Sequence, residues 1–167
     1  YNLGIAYRDL GQRDRATEYY TKAIALRPSD PDYRYALGNL LSDLHSYAEA
    51  IAEYDEAIRL APDFSNAYYN RGIAHRNAGD PFLAIADYDQ ALAHGLPFAN
   101  LFCNRGTANA DRGEHRNAIR DFDQALELDP QLANAYLARG TAYRVLGEEE
   151  KAQSDLFRHS QLTQESG

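Results

Sequence analysis

The residues best suited to chemistry in this chain are five histidines (His45, His75, His94, His115, His159), the single cysteine Cys103 and several carboxylates. A helical metal pair needs two ligands at i, i+3 or i, i+4, and no two of these histidines stand so. One cysteine supplies neither an internal disulfide nor a thiolate cluster. A Cys103–His75 nucleophile pair is conceivable, but a packing cysteine and a packing histidine explain the same residues more simply. Asp87/Asp89 and Asp121/Asp123 lie two apart, on different sides of a helix, and read as solvated or ion-paired groups. The regularly spaced glycines have no Gly-rich turn and no Lys-Ser/Thr after them, so they form no phosphate loop. The chain is expected to be no enzyme and to hold no metal or cofactor.

What would position any binding residues is a set of helices, and composition already narrows the class. The chain has 167 residues, 44% hydrophobic and 25% charged, with 6 prolines, a balance that suits an ordered protein. Net charge is −8, which argues against nucleic acid or an anionic membrane as partner, since phosphate binding needs a concentrated positive field. No apolar run approaches a membrane span, and no secretory signal is visible. A soluble, cytoplasmic protein is expected. The chain starts at Tyr1 and contains no Met, so it reads as a fragment or processed piece, and a removed targeting segment is compatible with it.

Internal periodicity is the main signal. Gly4, Gly38, Gly72, Gly106 and Gly140 are 34 apart, as are Ala16, Ala50, Ala84, Ala118 and Ala152. Ala23, Ala57, Ala91 and Ala125 keep the same step until His159, and so do Tyr20, Tyr54, Tyr88, Phe122 and Leu156. Each period is divided into slots, a residue's slot being its number plus four, modulo 34. The repeats are then 1–30 (partial), 31–64, 65–98, 99–132 and 133–166, in a single domain spanning 1–167.

Each repeat reads as two helices, in repeat three 66–78 and 80–93. The second carries Ala84, Ile85, Tyr88, Ala91 and Leu92 on one face. Gly11, Gly79, Gly113 and Gly147 stop the first helices, with His45 in that place in repeat two. Pro28, Pro62 and Pro130 end second helices, and Asp30-Pro31 reads as a capped start. Gly at slot 8 and Ala at slots 20 and 27 let helices approach closely, with aromatics at slots 4 and 24 filling the space beside them. Repeat three ends His94-Gly95-Leu96-Pro97, unlike its sisters, so that junction is expected to be the least regular. After Leu156 and Phe157 the apolar pattern fades through Ser154–Gly167, as in a capping or truncated end.

The pattern resembles the tetratricopeptide repeat family. Leu3, Gly4, Tyr7, Ala16, Tyr20, Ala23 and Pro28 match its motif in repeat one, and Phe102, Gly106, Ala118, Phe122, Ala125 and Pro130 in repeat four. The resemblance covers all five repeats. It implies an all-α, right-handed superhelical solenoid of antiparallel helix pairs, with first helices lining a concave groove. One departure is Arg at slot 7 in the last three repeats (Arg71, Arg105, Arg139), together with Asp at slot 23 (Asp87, Asp121, Asp155). A structural Arg–carboxylate pair is expected, either within a repeat or from slot 23 to the next repeat's Arg.

On that fold the groove face carries slots 2, 5, 6, 9, 12 and 13. Its candidate peptide-binding residues are Asn2 and Arg8 in repeat one, and Tyr35 and Asn39 in repeat two. Repeat three adds Asn66, Tyr69, Asn70, Arg76 and Asn77, repeat four Asn100, Asn104 and Thr107, and repeat five Asn134, Thr141 and Arg144. Asn amides both donate and accept, which suits the backbone of an extended peptide. For slot 2, near the helix start, capping competes equally with binding. Mid-helix Asn at slot 6 is a poor helix former and favours the binding reading. Some family members grip a C-terminal carboxylate with Lys and Arg at slots 2 and 6. Those slots hold neither here, so no such clamp is expected.

The function expected is a non-catalytic protein-protein interaction module that binds an extended peptide or partner segment in an Asn-rich groove, with affinity on the order of micromolar. The alternatives are a self-associating scaffold, or the substrate-recruiting arm of a larger enzyme. Self-association, and thus a homo-oligomer, would use the solenoid ends at Tyr1–Tyr7 and at Leu156, Phe157 and Leu162.

Overall fold

The structure is a computed structural model that describes residues 1–165; the last two positions of the expected tail, Ser166 and Gly167, lie outside the described residues. Ten α-helices follow one another: α1 (Asn2–Asp9), α2 (Arg13–Leu26), α3 (Pro31–Asp43), α4 (Tyr47–Leu60), α5 (Ser65–Asn77), α6 (Pro81–Ala93), α7 (Ala99–Asp111), α8 (His115–Leu128), α9 (Ala133–Val145) and α10 (Glu149–Glu165). Odd and even helices pair across short turns as helical hairpins. The all-α reading of paired helices therefore holds, and helix ends fall within a residue or so of the expected ones.

The chain divides into two compact units, Tyr1–Gly95 with α1–α6 and Leu96–Gly167 with α7–α10. The division falls in the His94–Pro97 segment. Here the proline that follows the second helices elsewhere sits one place late, at Pro97, and Gly95 takes φ +81°.

Local signals place the helix ends. The Asp30 carboxylate accepts the N–H of Asp32 ahead of Pro31, and Asp80 Oδ1 accepts from Phe82 and Leu83 ahead of Pro81. At the end of α3, His45 adopts φ 61°, the conformation that its glycine counterparts adopt freely. The Ser46 N–H reaches Leu41 O at 2.9 Å and the His45 N–H reaches Ser42 O at 2.9 Å, closing the helix.

The small-residue series does what the spacing predicts. Both alanine series are buried. A Cβ on Gly4, Gly38, Gly72 or Gly106 would come within 2.6–2.7 Å of the slot-24 ring in its own repeat, that of Tyr20, Tyr54, Tyr88 or Phe122. First and second helices thus touch backbone to ring. In repeat five the ring is replaced by Leu156, and the clearance at Gly140 widens to 3.2 Å.

The expected Arg–carboxylate pairs form within repeats. Arg71 Nε donates to Asp87 Oδ2 at 2.9 Å and its Nη2 to Asp87 Oδ1 at 2.5 Å. Arg105 grips Asp121 and Arg139 grips Asp155 in the same forked way. The link between repeats uses a different residue from the one expected. Arg71 reaches Asp55 and Arg139 reaches Asp123, both at slot 25 of the preceding repeat rather than slot 23. Each arginine also lies over the slot-4 ring of its repeat (Tyr68, Phe102 or Tyr136), 5.4–5.6 Å from its centroid. Repeat two lacks the slot-7 arginine; Arg34 at slot 4 instead pairs with Glu53 at 2.9 Å.

Cys103 is buried in the core of the second unit with Ala118 and Phe122, as a packing cysteine would be, and His75 stands 3.8 Å from the buried Asp87 carboxylate. Two expectations change, both at the C-terminal end. The last helix does not fade after Phe157 but runs to Glu165, because Leu162 supplies one more buried position. Leu162 is thus buried and offers no exposed contact, whereas Phe157 is 64% exposed.

Candidate functional site

The candidate slots lie on the first helices, and in the first unit α3, α4 and α5 bring several of them together. A recess of about 200 Å³ is lined by Asn39, Ser42 and Asp43 from α3, Tyr54 from α4, and Asn70 and Ile73 from α5. Five of these six occupy groove slots. Tyr54 is the addition: its ring packs on Gly38, and its buried hydroxyl is bonded to Asn39, another lining residue.

A hydrogen-bond network lies behind this lining. The Tyr54 hydroxyl donates to Asn39 Oδ1 at 2.8 Å. Asn70 Nδ2 donates to the same oxygen at 2.8 Å and to Tyr35 Oη at 2.9 Å. Both amide hydrogens of Asn70 are thereby spent within the protein, linking α5 to α3. Burial pushes the Tyr54 phenol well above its ordinary pKa, helped by Tyr35 and the Asp43 charge. Repeat one has Ile5 where repeat two has Asn39, and there the buried Tyr20 hydroxyl finds no hydrogen-bond partner among the described residues.

The other candidates separate into groups. Asn66, Asn100 and Asn134 are exposed one residue inside their helices. The N-cap positions belong to Phe64, Phe98 and Leu132, with no side-chain cap bond, so these asparagines are not N-caps. Asn2, Asn77, Thr141 and Arg144 are exposed, while Tyr69, Arg76, Asn104 and Thr107 are partly buried. The Thr107 and Thr141 hydroxyls turn back to Cys103 O and Leu137 O, both at 2.8 Å, within their own helices. Arg8 is bonded to its neighbour Asp9 at 3.0 Å, and that bond raises its pKa against partial burial.

Ser42, Asp43 and Ile73 lie in the groove slots, where spacing puts them on the concave face, but they are not among the candidate binding residues; Tyr54 lies outside those slots. Tyr54 matches only a packing slot, and nothing in its spacing shows that its hydroxyl bonds a groove asparagine. Among the described residues no group of three or more His, Cys, Asp or Glu could hold a metal ion. No helix there is long and apolar enough to cross a membrane.

The tetratricopeptide repeat family model matches residues 1–63 and 35–100, and a second model, a TPR repeat, matches 106–147. No curated protein sequence matches the chain. Among solved structures it is similar to MamA (41-end) from Desulfovibrio magneticus RS-1, at 20% identity over 98% of this chain and 93% of that one, with a TM-score of 0.92. It is also similar to YrrB, described as a TPR protein with an unusual peptide-binding site: 24% identity, 96% and 83% coverage, TM-score 0.82. A third is PilW, described as a widely conserved type IV pilus biogenesis factor: 19% identity, 98% and 76% coverage, TM-score 0.88. At these identities the likeness speaks to the fold.

Proposed function

This chain belongs to the tetratricopeptide repeat family, and from that premise we propose that it is a non-catalytic interaction module whose first-helix face binds an extended segment of a protein partner. The observation that carries the reading is the recess between α3, α4 and α5, a concavity built from the slots that the repeat register singles out. Its polar side chains are held in place by one another, so little side-chain entropy remains to be lost on binding. The peptide-binding site named for YrrB, a protein of the same fold, supports the same reading.

Within each unit the exposed slot-2 asparagines, Asn66 in the first and Asn100 and Asn134 in the second, would take backbone amides of a partner segment. Asn70 serves differently, since its two hydrogens already join α5 to α3. The test is the triple variant N66A/N100A/N134A, assayed against a dodecapeptide selected on the whole chain. Capture weakened tenfold or more, with an unchanged helical circular dichroism spectrum, is the expected result. Binding equal to that of the parent chain would remove the asparagine ladder from the mechanism.

The exposed ring of Phe157 favours self-association as the second reading. Light scattering across a concentration series separates the two: a mass that climbs with concentration and falls back in F157S supports the scaffold.

A further inference from the structure

We propose that the recess between α3, α4 and α5 receives a lysine side chain from the bound segment. This deepens the interaction-module reading and rests on it. Donors around the cavity are largely spent, and acceptors remain. The Tyr54 hydroxyl hydrogen goes to Asn39, and both Asn70 amide hydrogens go to Asn39 and Tyr35. Asn39 Oδ1 is filled by those two donors. What the lining keeps to offer is chiefly acceptor: the exposed carboxylate of Asp43, Asn70 Oδ1 and the Ser42 oxygen. The donor left beside them is the uncharged Asn39 amide, since the Ser42 hydroxyl is already bonded to Tyr54.

An anion or a backbone carbonyl would meet Asp43 and few donors. An ammonium group carries three donors and one positive charge, and it meets acceptors on two helices. A guanidinium prefers one carboxylate presented edge-on, and the acceptors here are divided among three side chains, which favours lysine over arginine. Ile73 gives the aliphatic stem an apolar wall, and a cavity of about 200 Å³ is of the order of one long side chain. The field agrees: the chain carries a net charge of −8. Arg8 senses the Asp43 charge but is hydrogen-bonded to Asp9.

The experiment selects acetylated, amidated dodecapeptides from a fully randomised library on the immobilised 167-residue chain. Each winner is then titrated by fluorescence anisotropy with lysine, arginine or norleucine at every basic position. One lysine position whose change to norleucine weakens binding at least tenfold, with arginine intermediate, is the expected result. Asp43→Asn, an exposed change at the end of α3, should abolish that difference while binding of the norleucine peptide is unaltered. Norleucine equal to lysine on the parent chain overturns the lysine assignment and leaves the groove reading standing. So does a lysine preference that survives Asp43→Asn, which would place the cation elsewhere, or an arginine preferred over lysine. If no peptide binds at all, the interaction reading fails and this inference fails with it.

Discussion

The Tyr54 hydroxyl donates to Asn39 Oδ1 across the α3–α4 hairpin at 2.8 Å, whereas the Tyr20 hydroxyl, in the same slot one repeat earlier, is buried without a partner among the described residues. The two rings fill equivalent space beside Gly38 and Gly4, so the difference lies in polar satisfaction alone. Removing a hydroxyl should therefore have opposite consequences at the two sites. Tyr54→Phe takes a donor from Asn39 and is expected to cost about 1–2 kcal/mol in urea unfolding. Tyr20→Phe removes an unsatisfied group and should be neutral or slightly stabilising. Equal losses at both positions would mean that the hydrogen bond contributes nothing.

Alkaline stability follows from the same phenols. Burial raises the pKa of Tyr54 and of Tyr20 above the ordinary tyrosine value. In the unfolded chain these groups ionise near pH 10, while the folded state keeps its protons. The stability tied to the neutral phenols is thus intact below about pH 10 and is lost as the pH climbs above it toward the folded values. Phenolate absorbance followed alongside circular dichroism should show a late fraction of tyrosines ionising together with the loss of helix. A single smooth titration completed while the helices persist would contradict the burial.

Gly106 and Gly140 test the close contact between helices. A Cβ at Gly106 would meet the Phe122 ring at 2.7 Å, whereas at Gly140 the nearest atoms stand at 3.2 Å. Overpacking of this kind costs about 1–3 kcal/mol, and the helix-propensity gain of Ala over Gly, ~1 kcal/mol, offsets part of it. Gly106→Ala should destabilise clearly and Gly140→Ala much less. In a double-mutant cycle, G106A/F122L should lose less than the sum of its single changes. Additive losses would show that the ring is not what excludes the methyl.

Arg71 provides the electrostatic comparison. It binds two aspartates, Asp87 with its side chain 5% exposed and Asp55 with its side chain 56% exposed. Burial opposes the charge on Arg71, but hydrogen bonds and charge attraction from Asp87 and then Asp55 raise its pKa overall. Asp87→Ala strands the guanidinium in a partly desolvated place and should cost about 3 kcal/mol. Asp55→Ala opens a pair that water already screens and should cost under about 1 kcal/mol. The ratio of the two urea-derived losses is the measurement, and a larger loss at Asp55 would reverse the assignment.

The helical pairing was legible because it depends on local and periodic information. Gly at slot 8 and an aromatic at slot 24 recur within one hairpin, so their contact is repeated at every copy and stands out in the spacing. Most of the recess lining was legible for the same reason, since five of its six residues fall in slots on a first-helix face that follow from 3.6 residues per turn. The slot-25 aspartates were missed because a charged residue on an exposed helix face looks the same whether or not it has a partner. The recess was missed in part because Tyr54 occupies a core slot, and spacing cannot show that its hydroxyl bonds Asn39 of the neighbouring helix.

What the chain determines by itself, then, is the register: which residues are small, where helices stop, and which face of each first helix is polar. These are properties of neighbours within one or two turns or at a fixed step of 34. Tertiary structure alone decided what the polar groups do. Asn70 meets Tyr35 and Asn39 across 35 and 31 residues, and only the stacking of α5 on α3 brings their atoms within 3 Å. That contact turns an asparagine read as a waiting donor into one whose hydrogens are already placed, because a short-range, directional bond is settled by where neighbouring helices come to rest.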